Sequence, residues 1–180
     1  MGKLKEDLRA FSGGKTGKAI LTVLLDGNFK AVKNYRLAHF LHEKMHMRLV
    51  PTMLHRHNRN KYAIDIDYRC HIDGGCRIAH GAGIVIGKDV RIGKNVSIYQ
   101  GVTLGGNVGK QKGKDGVVFA QPWIGDGVTL YSHCMLIGPV FVGDNSCIGA
   151  GAVVMQDVPA NSVCFSKNEL VIKPKGDNVK

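Results

Sequence analysis

The sequence has no apolar run long enough to cross a bilayer. Its longest apolar stretch near the start, AILTVLL at 19–25, falls short of the roughly 20 residues that a membrane-spanning helix needs. No cleavable signal pattern precedes this stretch, and Gly2 lacks the downstream Ser or Thr of a myristoylation signal. These absences predict a cytoplasmic protein.

Cysteine is also scarce and poorly spaced for cross-linking. The 180 residues contain five cysteines, an odd number, and no CxxC pair. This usage favours neither a secreted disulfide framework nor a zinc ribbon. We therefore expect no metal site and no structural disulfide.

Acidic residues are few compared with basic ones. The 14 Asp and Glu face 25 Lys and Arg, which gives a formal net charge of +11. Such a charge suits polyanionic or phosphorylated partners, although a solvated basic surface accounts for most of these lysines. No helix-turn-helix, zinc-finger or RNP signature is present, so nucleic acid is not expected. A phosphorylated cofactor, a nucleotide-sugar or peripheral association with an anionic membrane fits the charge equally well.

Residues 1–62 form a predicted helical region. Between Val32 and Leu49 the apolar residues approximate the i, i+3, i+4 spacing of an amphipathic helix, and Pro51 interrupts the run. A shorter helix is predicted from position 17 or 18 to Leu25, and LKEDLRAF, at 4–11, is a further candidate.

From Ile66 onward an aliphatic residue returns at every sixth position, with only two exceptions. Within each hexad the fifth residue is small or β-branched almost throughout, and Cys70, Cys76 and Cys134 stand at that position. The aliphatic positions are 66, 72, 78, 86, 92, 98, 104, 124, 130, 136, 142, 148 and 154. Neither a helix nor a single strand repeats at six residues.

Hexapeptide periodicity is typical of a parallel β-helix with three flat faces, in which each rung buries its inner face only by stacking on its neighbours. The aliphatic residues and the three cysteines then point inward, and glycine, asparagine and aspartate turn the corners. We predict an all-β fold with a helical N-terminus. Its β-helix spans 63–164 and is followed by a basic tail at 165–180.

The two irregularities of the repeat are the candidate functional segments. The first, IAHGAGIV at 78–85, adds two residues and contains His80. The second, at 105–123, is one extended loop rich in glycine and lysine that interrupts the rungs. Regular rungs have no chemistry of their own, and a long loop inside a compact solenoid is usually functional.

Several of these segments together resemble the serine O-acetyltransferases and the related acetyltransferases that modify bacterial surface polysaccharides. The resemblance covers roughly residues 30–160 and includes both irregularities. The matching segments are YRLAHFL (35–41), IDI (64–66), HGAGIVIG (80–87), SIYQGVTLGG (97–106) and IGAGAVV (148–154). The resemblance implies a left-handed parallel β-helix, acetyl-CoA as co-substrate, and a homotrimer whose trimers pair in some members through the N-terminal helices.

The same resemblance implies roles for individual residues. His80 matches the general base that takes the proton of the acceptor hydroxyl, and Asp65 matches the carboxylate that holds this imidazole. Backbone N–H groups at Gly105 and Gly106 are suited to bind acetyl-CoA or the tetrahedral oxyanion. The residues matched to the cofactor groove are Gly106, Ser132 and Ala150.

The acceptor side departs from the serine acetyltransferase pattern. Ala79 stands where the family has an aspartate, and AQP at 120–122, which includes Gln121, stands where it has Arg-His-Pro. Neither alanine nor glutamine replaces an arginine–carboxylate fork. We therefore expect an O-acetyltransferase whose favoured acceptor is a sugar or polysaccharide precursor.

Other functions stay open. Serine itself is the alternative acceptor, as in cysteine biosynthesis, and an aminosugar or an antibiotic is a lesser one. Zinc-dependent carbonic anhydrases also use hexapeptide coils, but they need closely spaced histidines that His71, His80 and His133 do not provide. A purely structural coil leaves the inserted His80 without a role.

Overall fold

The computed structural model describes residues 2–114 and 116–167, so residues 168–180 of the expected basic tail lie outside the described part of the chain. Within these limits no helix is long and apolar enough to cross a membrane. Four helices come first: α1 Gly2–Ser12, α2 Thr16–Leu25, α3 Gly27–Met45 and α4 Leu49–Tyr62. The helical N-terminus predicted from the sequence is confirmed.

The boundaries of α3 follow local chemistry. The Asp26 side chain accepts hydrogen bonds from the backbone N–H groups of Asn28 (2.8 Å) and Phe29 (3.1 Å), which is an N-cap. The helix ends before His46, whose φ of 52° is left-handed. The break therefore comes before Leu49, and Pro51 lies in the first turn of α4, where its missing N–H costs nothing.

The remaining chain forms three parallel sheets that wind around one axis. The strands are β1 Ile64–Ile66, β2 His71–Ile72, β3 Arg77–Ile78, β4 Ile84–Ile86, β5 Arg91–Ile92, β6 Ser97–Ile98, β7 Thr103–Gly105, β8 Lys112–Lys114, β9 Val117–Phe119, β10 Trp123–Ile124, β11 Thr129–Leu130, β12 Met135–Ile137, β13 Phe141–Val142, β14 Cys147–Ile148, β15 Val153–Val154 and β16 Val163–Cys164. Sheet A has the order β1-β4-β7-β12-β15, sheet B β13-β10-β5-β2 and sheet C β16-β14-β11-β6-β3.

The hexad positions stack inward as the sequence predicts. In sheet A the strand register aligns Ile66, Ile86, Leu104, Leu136 and Val154 in one column. Each of these side chains is at most 3% exposed, and burying a side chain of this size contributes about 1.5–3 kcal/mol. The three cysteines at the fifth position are buried as well, as expected.

The open edge of the first coil is covered by side chains from the helices. The Tyr35 hydroxyl donates to the Cys70 carbonyl (2.8 Å) and accepts from the Ile72 N–H (3.2 Å). Arg36 donates to the carbonyls of Ile72 and Asp73. Strand edges with unpaired backbone groups invite further pairing, so α3 serves as the cap of the solenoid.

The extended loop contains an antiparallel hairpin of β8 and β9. Lys112 pairs with Asp157 and so ties the hairpin back to the last coils. The loop therefore has a defined place beside the corner at which the chain passes from sheet A to sheet B. We call this edge the A–B corner; the C–A corner is the edge at which the chain passes from sheet C to sheet A.

Candidate active site

His80 lies in the two-residue insertion at the C–A corner. Its backbone is left-handed (φ 57°), as it is at other corners of the coil such as Asn95 and Asn145 (both φ 56°). Its side chain is exposed. Among the described residues, none forms a hydrogen bond to the imidazole, so the ring is available to a ligand.

The turn that carries His80 is held from below by α3. The Gly81 N–H donates to Asn28 Oδ1 at 3.2 Å. A Cβ at position 81 would lie 2.4 Å from that oxygen and 2.5 Å from Ile64 Cδ1, so the turn fits tightly on the helix. Ala79, expected at the acceptor site, is only 8% exposed and belongs largely to the core.

Higher coils continue the same corner. The Gly151 N–H donates to the Ser132 carbonyl at 2.9 Å, which stacks Ser132 and Ala150 on neighbouring coils, as the cofactor prediction requires. His133 is exposed and left-handed (φ 57°), and its ring lies over Gly101. The C–A corner thus presents two imidazoles and two small residues on one edge.

Asp65 has a histidine partner, but the partner is His55. His55 Nε2 lies 2.5 Å from Asp65 Oδ1, and the two side chains are 20% and 31% exposed. This contact joins α4 to β1, and the Tyr68 ring lies beside the His55 ring. The predicted pairing of Asp65 with His80 is not formed within this single chain, and the carboxylate uses only Oδ1 in the contact that is formed.

Gly105 and Gly106 lie at the A–B corner, beside the extended loop. A Cβ at position 106 would lie 2.5 Å from Gln121 Nε2, whereas a Cβ at position 105 would meet open space. Gln121 therefore folds over Gly106, and its Oε1 is buried without a hydrogen-bond partner among the described residues. A buried amide oxygen of this kind normally finds a donor.

A cavity of about 410 Å³ opens beside Gln121 under the loop. Its lining includes Lys88, Asp89 and Arg91, so both signs of charge are present within it. The Arg91 guanidinium lies 5.0 Å from the centre of the Trp123 ring, which fixes its orientation. Sequence reasoning missed these three residues because the hexad pattern assigns them to an ordinary rung.

The predicted site residues thus fall into two groups on opposite edges of sheet A. His80, Ser132 and Ala150 lie at the C–A corner, and Gly105, Gly106 and Gln121 lie at the A–B corner. The strand between Gly83 and Gly87 separates the edges by roughly 13 Å, at about 3.3 Å per residue. One chain therefore does not bring the two groups together.

Two histidines of α3 make structural contacts. His39 Nδ1 lies 2.8 Å from the Tyr68 carbonyl, and burial lowers the pKa of this histidine. His42 contacts the Met47 carbonyl. Both therefore serve packing. No group of three or more His, Cys, Asp or Glu suited to a metal ion is found in the part of the chain that the structure describes.

Comparison with protein families gives two matches within the β-helix. Residues 121–156 match the bacterial transferase hexapeptide family (six repeats), and residues 83–108 match the hexapeptide repeat of succinyl-transferase. Both matches fall on the coils that the six-residue period defines.

Curated relatives are serine acetyltransferases. The Synechococcus elongatus enzyme is 35% identical over 133 residues, which are 74% of this chain and 52% of the relative. The Bacillus subtilis enzyme is 39% identical over 82 residues, 46% of this chain and 35% of the relative. The chain thus spans about half or less of the length of these curated relatives.

Solved structures agree on the architecture. Soybean serine acetyltransferase complexed with serine superposes with a TM-score of 0.80 at 33% identity, over 92% of this chain and 66% of that one. The Neisseria gonorrhoeae serine acetyltransferase in complex with serine gives a TM-score of 0.78 at 29% identity, over 90% and 64%. The left-handed parallel β-helix predicted from the sequence is confirmed.

Proposed function

We propose that this chain, which is similar to the hexapeptide-repeat acetyltransferases, transfers the acetyl group of acetyl-CoA to a hydroxyl acceptor. The observation that carries the proposal is His80, an exposed imidazole without a hydrogen-bond partner among the described residues, on an inserted turn that Asn28 holds in place. The co-substrate also fits the cytoplasmic location expected from the sequence.

His80 acts as the general base. A neutral imidazole accepts the proton of the acceptor hydroxyl while the oxygen attacks the thioester carbonyl, and the CoA sulfur leaves with that proton. We assign stabilisation of the oxyanion to the backbone of the Gly105–Gly106 turn at the A–B corner. Acetyl-CoA lies along the C–A corner, against Ser132 and Ala150.

We propose that Asp65 orients the base once acceptor and acetyl-CoA are bound, since the two side chains are not paired in the single chain. His55 binds Oδ1, which leaves Oδ2 for the His80 ring, so one carboxylate serves two histidines. A histidine base without its carboxylate loses its preferred tautomer. The variant Asp65→Asn should lower kcat strongly, and His55→Gln should lower it less; equal activity of Asp65→Asn and the unchanged protein would exclude this role.

The favoured acceptor is serine. The curated and solved relatives described above are serine acetyltransferases, and two of the solved structures hold serine. The sugar acceptor expected from the sequence has no support among them. The cavity beside Gln121 favours serine as well, because Arg91 or Lys88 can pair with a carboxylate and Asp89 with an ammonium group.

A sugar remains the second candidate for one reason. Ala79 and Gln121 carry no charge at the positions where the family has charged side chains. Release of free CoA measured with serine and with a panel of sugars decides between the two acceptors. Arg91→Ala should raise KM for serine at least tenfold, whereas a sugar-specific enzyme would show little change. The control is Lys94→Ala, at an exposed position of the same β-helix.

The base itself is tested by His80→Ala. This variant should abolish acetyl-CoA-dependent acetylation and leave the circular dichroism spectrum and the assembly unchanged. Because the His80 side chain makes no hydrogen bond within the described part of the chain, loss of activity would report chemistry and not unfolding. An active His80→Ala enzyme would exclude the mechanism.

The functional assembly is a homotrimer. Since the two groups of site residues lie on opposite edges of sheet A, a threefold axis completes each site by placing the C–A corner of one subunit against the A–B corner of the next. Mixed trimers test this arrangement. His80→Ala and Gly106→Val subunits, each inactive alone, should regain about a quarter of the sites when mixed one to one, as random threefold assembly requires. No recovery after co-refolding would argue for a site within one chain.

A further inference from the structure

Helix α2 exposes large apolar side chains and buries a polar one. Most of its exposed side chains are large and apolar: Ile20 (59%), Leu21 (56%), Val23 (40%), Leu24 (61%) and Leu25 (74%). Its one buried residue is the polar Thr22, at 6%. A surface helix normally buries its apolar stripe and exposes its polar one. Several large aliphatic side chains exposed on one short helix mark an interaction surface.

This apolar surface extends onto the neighbouring helix. Leu8 of α1 joins Ala19, Ile20 and Val23 in lining an apolar groove of about 300 Å³. The groove is shallow and has no charged residue in its lining. Its occupant therefore has to offer hydrocarbon.

The charge of the chain is concentrated in the same region. Residues 1–62 contain 13 Lys and Arg against four Asp and Glu, a net charge of +9 out of the +11 of the whole chain. No acidic residue occurs within α2, and Lys15 and Lys18 flank its apolar side chains and are exposed. Asp7 and Arg36 are buried as an ion pair, so the other groups of residues 1–62, 12 basic and three acidic, still carry +9.

From this combination we propose that α1 and α2 form a docking surface for the anionic lipid bilayer. Aliphatic side chains enter the acyl boundary while lysines remain among the headgroups, which is the mode of binding of a basic interfacial helix. Each lysine near an anionic surface strengthens binding roughly fivefold. The charge favours a bilayer over a second copy of the chain, because α1 and α2 together with Lys15 contain five basic and two acidic residues, so two such surfaces repel one another.

The position of α2 in the fold suits such a surface. The helices cap the first coil, at one end of the β-helix. If the subunits are parallel around a threefold axis, as proposed above, three copies of α2 lie at the same end of the particle and bind together. The docking surface does not depend on the acceptor or on the chemistry at His80, since a single chain carries all of its residues.

The test is flotation of the full chain with phosphatidylcholine vesicles that contain or lack phosphatidylglycerol. We expect binding only to the anionic vesicles, and release as NaCl rises from about 0.1 M to about 1 M. Leu21→Gln/Leu24→Gln should weaken binding at least tenfold, because glutamine keeps the helix and removes the hydrocarbon. Lys15→Gln/Lys18→Gln should also weaken it at least tenfold.

Two controls keep the result specific. The control variants are Val153→Gln and Lys94→Gln, both at exposed positions of the β-helix. Each should bind vesicles like the unchanged protein. Light scattering and CoA release should be unaltered in Leu21→Gln/Leu24→Gln. Absence of binding to anionic vesicles, or full binding by this double variant, would overturn the proposal. Dissociation of the Leu21→Gln/Leu24→Gln variant into smaller particles would also overturn it, because it would show that a second copy of the chain covers α2.

Discussion

The contact between Arg36 and Asp7 should be the most stability-critical polar contact of the helical cap. Arg36 Nε and Nη2 lie 2.9 and 3.0 Å from the two carboxylate oxygens of Asp7, a bidentate geometry. The Asp7 side chain is 0% exposed and that of Arg36 10%. Asp7 also accepts the Cys76 N–H at 3.0 Å, so the pair links α1, α3 and the first coil.

Arg36→Met should destabilise the protein severely. It leaves a buried carboxylate without its cation, which typically costs about 3–5 kcal/mol, and it removes the donors to two edge carbonyls. For a protein of this size each kcal/mol lowers Tm by about 2–4 °C, so we expect a fall of roughly 6–20 °C. Circular dichroism or calorimetric melting measures it.

The matched control is the exposed pair of Lys3 and Asp73. Their side chains are 55% and 48% exposed, and such a pair contributes about 0–1 kcal/mol. Lys3→Met should therefore leave Tm nearly unchanged. A double variant, Arg36→Met with Asp7→Leu, should recover part of the loss, because no charge remains buried. An equal fall in Tm for Arg36→Met and Lys3→Met would refute the stabilising role of the Arg36–Asp7 pair.

Two further predictions concern the coils. Gly101 and Gly151 both have a left-handed backbone, but a Cβ at position 101 would lie 2.2 Å from His133 Nδ1, whereas one at position 151 would meet open space. Gly151→Ala should therefore lower the free energy of unfolding by about 1–2 kcal/mol, through backbone strain alone, and Gly101→Ala should lower it further. Thermal unfolding of the two variants measures this difference. Burial raises the pKa of Cys76 to about 12, so at pH 8 this thiol should resist alkylation while the partly exposed Cys147 reacts. Because only the unfolded thiol ionises between about pH 8.5 and 12, stability from Cys76 is complete below that window and lost as pH rises through it; mass spectrometry and pH-dependent melting check both points.

The β-helix could be predicted because its stabilising contacts repeat. Each inward residue, such as Ile86 or Leu104, meets the equivalent residue of the next coil, so one physical requirement is written into the sequence again and again. The interruptions of that period could be located for the same reason. His80 and the extended loop are visible as departures from a rule that the rest of the chain obeys.

The cap of the first coil could not be derived in that way. Tyr35 and Arg36 bind backbone groups more than 30 residues away, and each contact occurs once. Such contacts leave no periodic trace, although the segment YRLAHFL that contains them takes part in the resemblance to the acetyltransferases. The pairing of His55 with Asp65 was missed for the same reason, since nothing in the helical spacing of α4 distinguishes His55 from its neighbours.

The charges at the proposed acceptor site are a second case of contacts that the sequence does not reveal. From the sequence, Ala79 and Gln121 occupy the family's charged positions, and their neutrality points to a neutral acceptor. In space Gln121 shares its cavity with Asp89 and Arg91, which lie about thirty residues earlier in the chain. Residues contributed by a neighbouring rung can replace charges lost from the loop, because adjacent coils bring together side chains that the sequence separates. The cavity therefore supports our proposal of serine, an acceptor that carries both signs of charge.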